Sequence, residues 1–156
     1  MGRRNGRLAS TLRNLELLRR ALDAAERELG SLGDYIERGR PTAEQAATAQ
    51  RSITQWQQTR DERQQALLAE VARLRQVWPA VISKWATTHQ TIYTGVARHY
   101  RDRADKDRLG YRTQIFIAEQ AVAHWAEVAK GQRDFVLDND ALMRHHRALV
   151  RHHWGF

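Results

Sequence analysis

The spacing of leucine constrains this chain more than any other feature. Leu8, Leu12, Leu15, Leu18, Leu22, Leu29 and Leu32 recur at steps of three, four and seven. That recurrence places them on one face of a helix with 3.6 residues per turn. Only two prolines interrupt the 156 residues, and helical apolar spacing continues to the far end. The first stripe predicts an amphipathic helix from about Ser10 to Leu32, ended by Gly30 and Gly33, since glycine is favoured at helix C-termini. Residues 1–9, with Arg3, Arg4 and Arg7 between small polar neighbours, read as a basic arm of flexible composition.

The remaining elements follow from local punctuation. Gly39-Arg40-Pro41 is a break, and Thr42 with Gln45 forms a capping box that opens a second helix. Ala46, Ala49, Ile53 and Trp56, then Leu67, Val71, Leu74 and Trp78, mark its apolar face. The stretch from Gln57 to Gln65 is polar on every side. It predicts a long helix whose middle projects from the core, or else a bend or break there. Pro79 suits the first turn of a third helix, with Val81, Trp85, Ile92, Val96 and Tyr100 facing inward. The β-branched run from Thr87 to Val96 favours helix poorly, but the spacing continues through it. Arg101 to Gly110 reads as a frayed end and a charged loop. A fourth helix spans about Tyr111 to Lys130, with Ile115, Ala118, Val122, Trp125 and Ala129 inward and Gly131 as its cap. A fifth spans about Asn139 to His153. The expectation is an all-α fold: one domain over 1–156, a compact bundle of about five helices with a basic N-terminal arm.

Charge points outward from that bundle. Basic side chains outnumber acidic ones by 26 to 18, giving +8 at pH 7 and a sequence pI near 10.7. Arginine supplies 23 of the cations and lysine 3. A high-GC coding bias explains much of that ratio but not the excess over Asp and Glu. Net charge also aids solubility, yet here the cations cluster. Arginine grips phosphate with a planar fork of donors, so the pattern predicts contact with a nucleic-acid backbone.

Three clusters carry this expectation. The first is Arg3, Arg4, Arg7 and Arg13, continued by Arg20 and Arg27 at seven-residue steps. Glu16 and Asp23 precede Arg20 and Arg27 by four residues, the spacing of helical ion pairs, so those two are expected to be paired. The second is Arg98, Arg101, Arg103, Lys106, Arg108 and Arg112, interleaved with Tyr100 and Tyr111. Cations beside aromatics can neutralise phosphate and stack on unpaired bases, although alternating charges also describe a solvated loop. The third is Arg144, Arg147 and Arg151, one face of the last helix, with no acid after Asp140.

Other chemistry finds no support. His145, His146, His152 and His153 repeat at seven, about 10 Å along a helix, too far to share one metal ion. No phosphate-binding glycine loop, nucleophile elbow or paired carboxylate set is present, so neither enzymatic activity nor a metal or other cofactor is expected. With no cysteine, disulfide and thiol chemistry are excluded. No apolar run reaches the roughly 18 residues of a membrane span, and no secretory signal is visible, which fits a cytoplasmic protein.

In size, helix content, basic charge and lack of catalytic motifs, the chain resembles the helical small subunits of multi-subunit CRISPR effector complexes of the Cascade kind. The resemblance covers the whole chain and rests on no motif, so it assigns no individual residue. It implies several copies within a ribonucleoprotein, bracing other protein subunits and holding guide RNA or a target strand. Two other readings fit the same composition. One is a phage- or plasmid-type helical adaptor whose arginines meet acidic proteins. The other is a helical DNA-binding regulator, although no recognition-helix signature is visible.

Overall fold

The computed structural model describes residues 2–107 and 111–131, with the side chains of all of these except 2 and 105–107. Every element among them is helical: α1 (Gly2–Arg38), α2 (Ala43–Val77), α3 (Pro79–Asp107) and α4 (Arg112–Ala129). The all-α class is as expected, with four helices rather than about five among the described residues. The proposed last helix and its arginine and histidine clusters lie outside them. Two compact units divide the chain, Met1–Arg73 and Leu74–Phe156, with the boundary inside α2.

In the first unit, α1 starts at Gly2, so the basic lead-in is helical rather than a separate arm. Nor does α1 stop at Gly30 or Gly33. A side chain at either would meet nothing. Both occupy ordinary helical positions, and the cost of each, about 1 kcal/mol against alanine, is carried by a helix of 37 residues. The stop comes at Gly39, whose N–H donates to the Tyr35 carbonyl at 2.9 Å. A Cβ on Gly39 would sit 2.6 Å from that carbonyl oxygen. Arg40 then takes a left-handed φ of 47°. Thr42 restarts the chain with both expected capping bonds: its N–H donates to Gln45 Oε1 at 3.0 Å, and Gln45 N–H donates to Thr42 Oγ1 at 3.2 Å.

The polar middle of α2 neither breaks the helix nor leaves it without contact to α1. Gln, Arg and Glu are good helix formers, and the inward members of this stretch find polar work. Arg63 Nη1 donates to the Ala21 carbonyl of α1 at 2.6 Å. Its guanidinium also lies 5.8 Å from the Trp56 ring centroid, within cation–π range. Gln64 is buried. Ala21 and Arg63 stand equally far from Thr42 in sequence, the register of an antiparallel hairpin. Leu15, Leu22 and Ala25 on α1 and Ala49, Leu67 and Val71 on α2 are buried.

In the second unit, Trp78 ends α2 by donating its N–H to the Leu74 carbonyl at 2.7 Å. Pro79 opens α3 at the position where a missing N–H is harmless. The threonine-rich run stays helical, with its hydroxyls bonded back to the preceding turn. Thr87, Thr88, Thr91 and Thr94 donate to the carbonyls of Ser83, Lys84, Thr87 and Gln90 at 2.7–3.0 Å. Each thus satisfies itself within the preceding turn. The helix also continues to Asp107, past the expected frayed end.

The buried stripe of α3 is Ile82, Ala86, His89, Tyr93, Ala97 and Tyr100, joined by Val81 and Trp85. Ile92, expected inward, is 52% exposed. On α4 the buried face is Ile117, Ala118, Ala121, His124, Trp125 and Val128, shifted from the expected line of Ile115, Val122 and Ala129. Histidine explains both shifts. His89 and His124 complete these stripes, and a purely apolar reading steps around them. The two helices pack on each other. Trp125 meets Trp85 edge-on at 5.2 Å between centroids and stacks on His89 at 4.2 Å, and Ser83 Oγ donates to the Ala129 carbonyl at 3.0 Å. Tyr111 precedes α4 with a left-handed φ of 42° and no side-chain cap. Its ring lies 5.6 Å from that of Tyr100. Gly131, with φ of 74°, ends α4 as expected.

Two substitutions test these contacts by urea unfolding. Gly39→Ala should cost more than about 1 kcal/mol, because no side chain fits that approach, while Arg40→Gly at the adjacent left-handed position should be near neutral or stabilising. Trp125→Ala should cost about 3–5 kcal/mol by opening the α3–α4 core.

Candidate nucleic-acid interface

Helix α1 determines which arginines stand together. At 100° per residue, Arg13, Arg20 and Arg27 lie roughly opposite the buried Leu15, Leu22 and Ala25, and all three are exposed. Seven-residue steps set them about 10 Å apart along the helix axis. Arg38 falls near the same line and is also exposed, but exposed Asp34 takes the next seven-residue step after Arg27 and stands between them. Arg38 was hidden from the sequence reading because the helix was expected to end near Leu32. Exposed Arg3, Arg4 and Arg7 occupy the first two turns on the other side, where Arg4 continues the line of Leu15 and Leu22. They form a separate group and do not extend the Arg13 row.

The expected ion pairs are redistributed. Arg19, not Arg20 or Arg27, takes both nearby carboxylates: its Nη2 lies 3.2 Å from Glu16 Oε2 and its Nη1 lies 2.9 Å from Asp23 Oδ2. This arrangement is partly shielded, with Arg19 only 17% exposed. Arg20 reaches Glu16 only at 4.0 Å and stays 72% exposed. Arg27, like Arg13 and Arg38, has no carboxylate at ion-pairing distance among the described residues. One inward-leaning arginine therefore takes the closest bonds to two acids, and the outer row has no carboxylate nearer than 4.0 Å among the described residues. Coulomb attraction between exposed charges is weak in water, so the partly shielded site holds the acids better than the solvent-facing one.

In the second unit, Arg98 and Arg112 are exposed and have no carboxylate at ion-pairing distance among the described residues. Arg101 is paired with Glu119 of α4. Arg103, two residues on, faces the opposite side of α3. Lys106 lies within α3, but its side chain is outside the described ones. Arg108, Arg144, Arg147 and Arg151 are outside the described residues. The expected interleaving with tyrosine is not available to bases, because Tyr100 is buried and Tyr111 is half-buried against it. Among the described residues of this unit, Phe116 is an exposed aromatic, at 58%. Sequence reasoning passed over it, although its position off the α4 apolar stripe was a usable signal.

Among the described residues no three His, Asp or Glu side chains gather where they could hold a metal ion, and no helix is long and apolar enough to cross a membrane. What the surface offers chemically is fixed guanidinium groups, suited to phosphate or carboxylate. No protein-family model, curated protein or solved structure matches the chain.

Not every cation is available to a ligand. Arg73 is held by Glu70 through two bonds of 3.0 and 2.6 Å, which lower the Glu70 pKa and raise that of Arg73. A lowered carboxyl pKa contributes stability above the ordinary glutamate range, and that contribution is lost as pH falls through the lowered value. Glu70→Gln should therefore reduce the urea midpoint slightly at pH 7. The difference from the parent should vanish in strong acid, where both side chains are neutral.

Proposed function

We propose that this protein is a non-catalytic, sequence-independent binder of nucleic-acid backbone, acting as a subunit of a larger ribonucleoprotein. The resemblance to CRISPR effector small subunits suggests a place beside guide RNA or a target strand, in several copies. The observation that carries the reading is the outer row Arg13, Arg20 and Arg27, exposed while Arg19 takes the closest bonds to Glu16 and Asp23. Backbone contact needs only fixed cations spaced along a strand, and the row meets that requirement without a base-reading helix.

The test is binding of unrelated single strands, RNA and duplexes across a salt series. Expected are similar affinities for unrelated sequences and a steep loss with salt. Arg13→Gln/Arg20→Gln/Arg27→Gln, which keeps good helix formers, should lower the slope of log affinity against log salt by about 2–3. A preferred duplex site would indicate a regulator instead. Binding to no nucleic acid would reject the proposal in favour of an adaptor for acidic proteins.

A further inference from the structure

Trp85 to Ala97 is the longest run of the sequence without Asp, Glu, Lys or Arg. Its inward members belong to the core, but Thr87, Thr88, Thr91, Thr94 and Gly95 are exposed. They lie on the side of α3 away from the buried line of Ile82, His89, Tyr93 and Tyr100. Ile92, at the margin of this side, is 52% exposed. The four threonine hydroxyls already donate to carbonyls of the preceding turn, so the face can shed water without stranding a donor. Gly95 stands near its centre, where a Cβ would meet nothing. Packing within the chain thus gives no reason for a residue disfavoured in mid-helix. Charge returns at both ends. Lys84 lies before the run and Asp102 beyond it, both exposed. They fall on one line of α3, about five turns or 27 Å apart. Neither has an ion-pair partner among the described residues. Arg98, one turn before Asp102, is also exposed.

We infer that this face docks a second copy of the chain, α3 against α3, antiparallel about a twofold axis. Lys84 and Asp102 carry opposite charges and stand equally far from Tyr93 in sequence. In an antiparallel pair centred at that level, Lys84 of each copy meets Asp102 of the other, and the two bonds form together. A parallel pair would set Lys84 on Lys84 and Asp102 on Asp102, so charge selects the antiparallel sense. The same register puts Gly95 level with Thr91 of the second copy, where the missing side chain lets the two backbones approach. A centre depleted of charge with charges at its rim is the pattern of a protein contact. A polyanion asks for the reverse, cations along the whole face. The contact is isologous and closes at two copies. It uses no residue of the α1 row and does not depend on the backbone-binding reading.

The test is sedimentation of the full-length chain over a concentration series, with circular dichroism as the check on folding. The parent should dimerise. Gly95→Arg replaces an exposed glycine by a better helix former, so it should keep its helicity and sediment as a monomer. Lys84→Glu sets like charges together at both ends of the contact and should weaken the dimer about tenfold. Lys84→Glu/Asp102→Lys restores the pairs with their signs exchanged and should recover parental association. A parent that stays monomeric at every concentration overturns the inference. So does a dimer that Gly95→Arg leaves intact, or one for which the double exchange is no better than Lys84→Glu alone.

Discussion

A shortage of carboxylates organises this molecule. With 26 basic and 18 acidic side chains, internal pairing cannot absorb every guanidinium, and an unpaired charge cannot be buried cheaply. Two acids are held where solvent is partly excluded, Glu16 and Asp23 by Arg19, whereas Glu119 meets Arg101 of another helix at the exposed surface. Cations left over are driven to the outer faces, and helical spacing then decides whether they align. Arg13, Arg20 and Arg27 align, with Asp34 next on their line; Arg101 and Arg103 do not.

The same constraint shapes what lies inside. Among the described residues the buried polar side chains are Glu26, Gln64, His89 and His124, three of them amide or imidazole groups that can enter a core uncharged. Between α3 and α4 the imidazole of His89 stacks on Trp125 while Trp85 packs edge-on. Ring geometry of this kind holds two helices in one register more sharply than aliphatic contact. The same register sets Tyr111 beside Tyr100 and so keeps both rings from the surface.

Much of the fold was legible without coordinates. The leucine stripe announced α1, Thr42 and Gln45 announced the start of α2, Pro79 announced α3, and Gly131 closed α4. Each is a local signal whose cause lies within one turn of chain. Misreadings came where local and distant forces disagree. Gly30 and Gly33 look like stops, but a long packed helix absorbs their cost. Gln57 to Gln65 looks unable to pack, but Arg63 reaches a carbonyl on the neighbouring helix. Ile92 looks buried and His89 exposed by hydropathy, and the packing of α4 reverses them.

For the candidate interface the division is similar. Residue type and period belong to the sequence: a surplus of guanidinium groups, set at seven-residue steps, on helices that bury one face. The choice of partner belongs to the tertiary structure. Glu16 lies about one turn from both Arg19 and Arg20, and Asp23 about one turn from Arg19, Arg20 and Arg27, so spacing cannot say which arginine takes them, and Glu119 pairs with an arginine on another helix altogether. Pairing depends on which side chains the packed helices bring within reach, and only the packed chain fixes that.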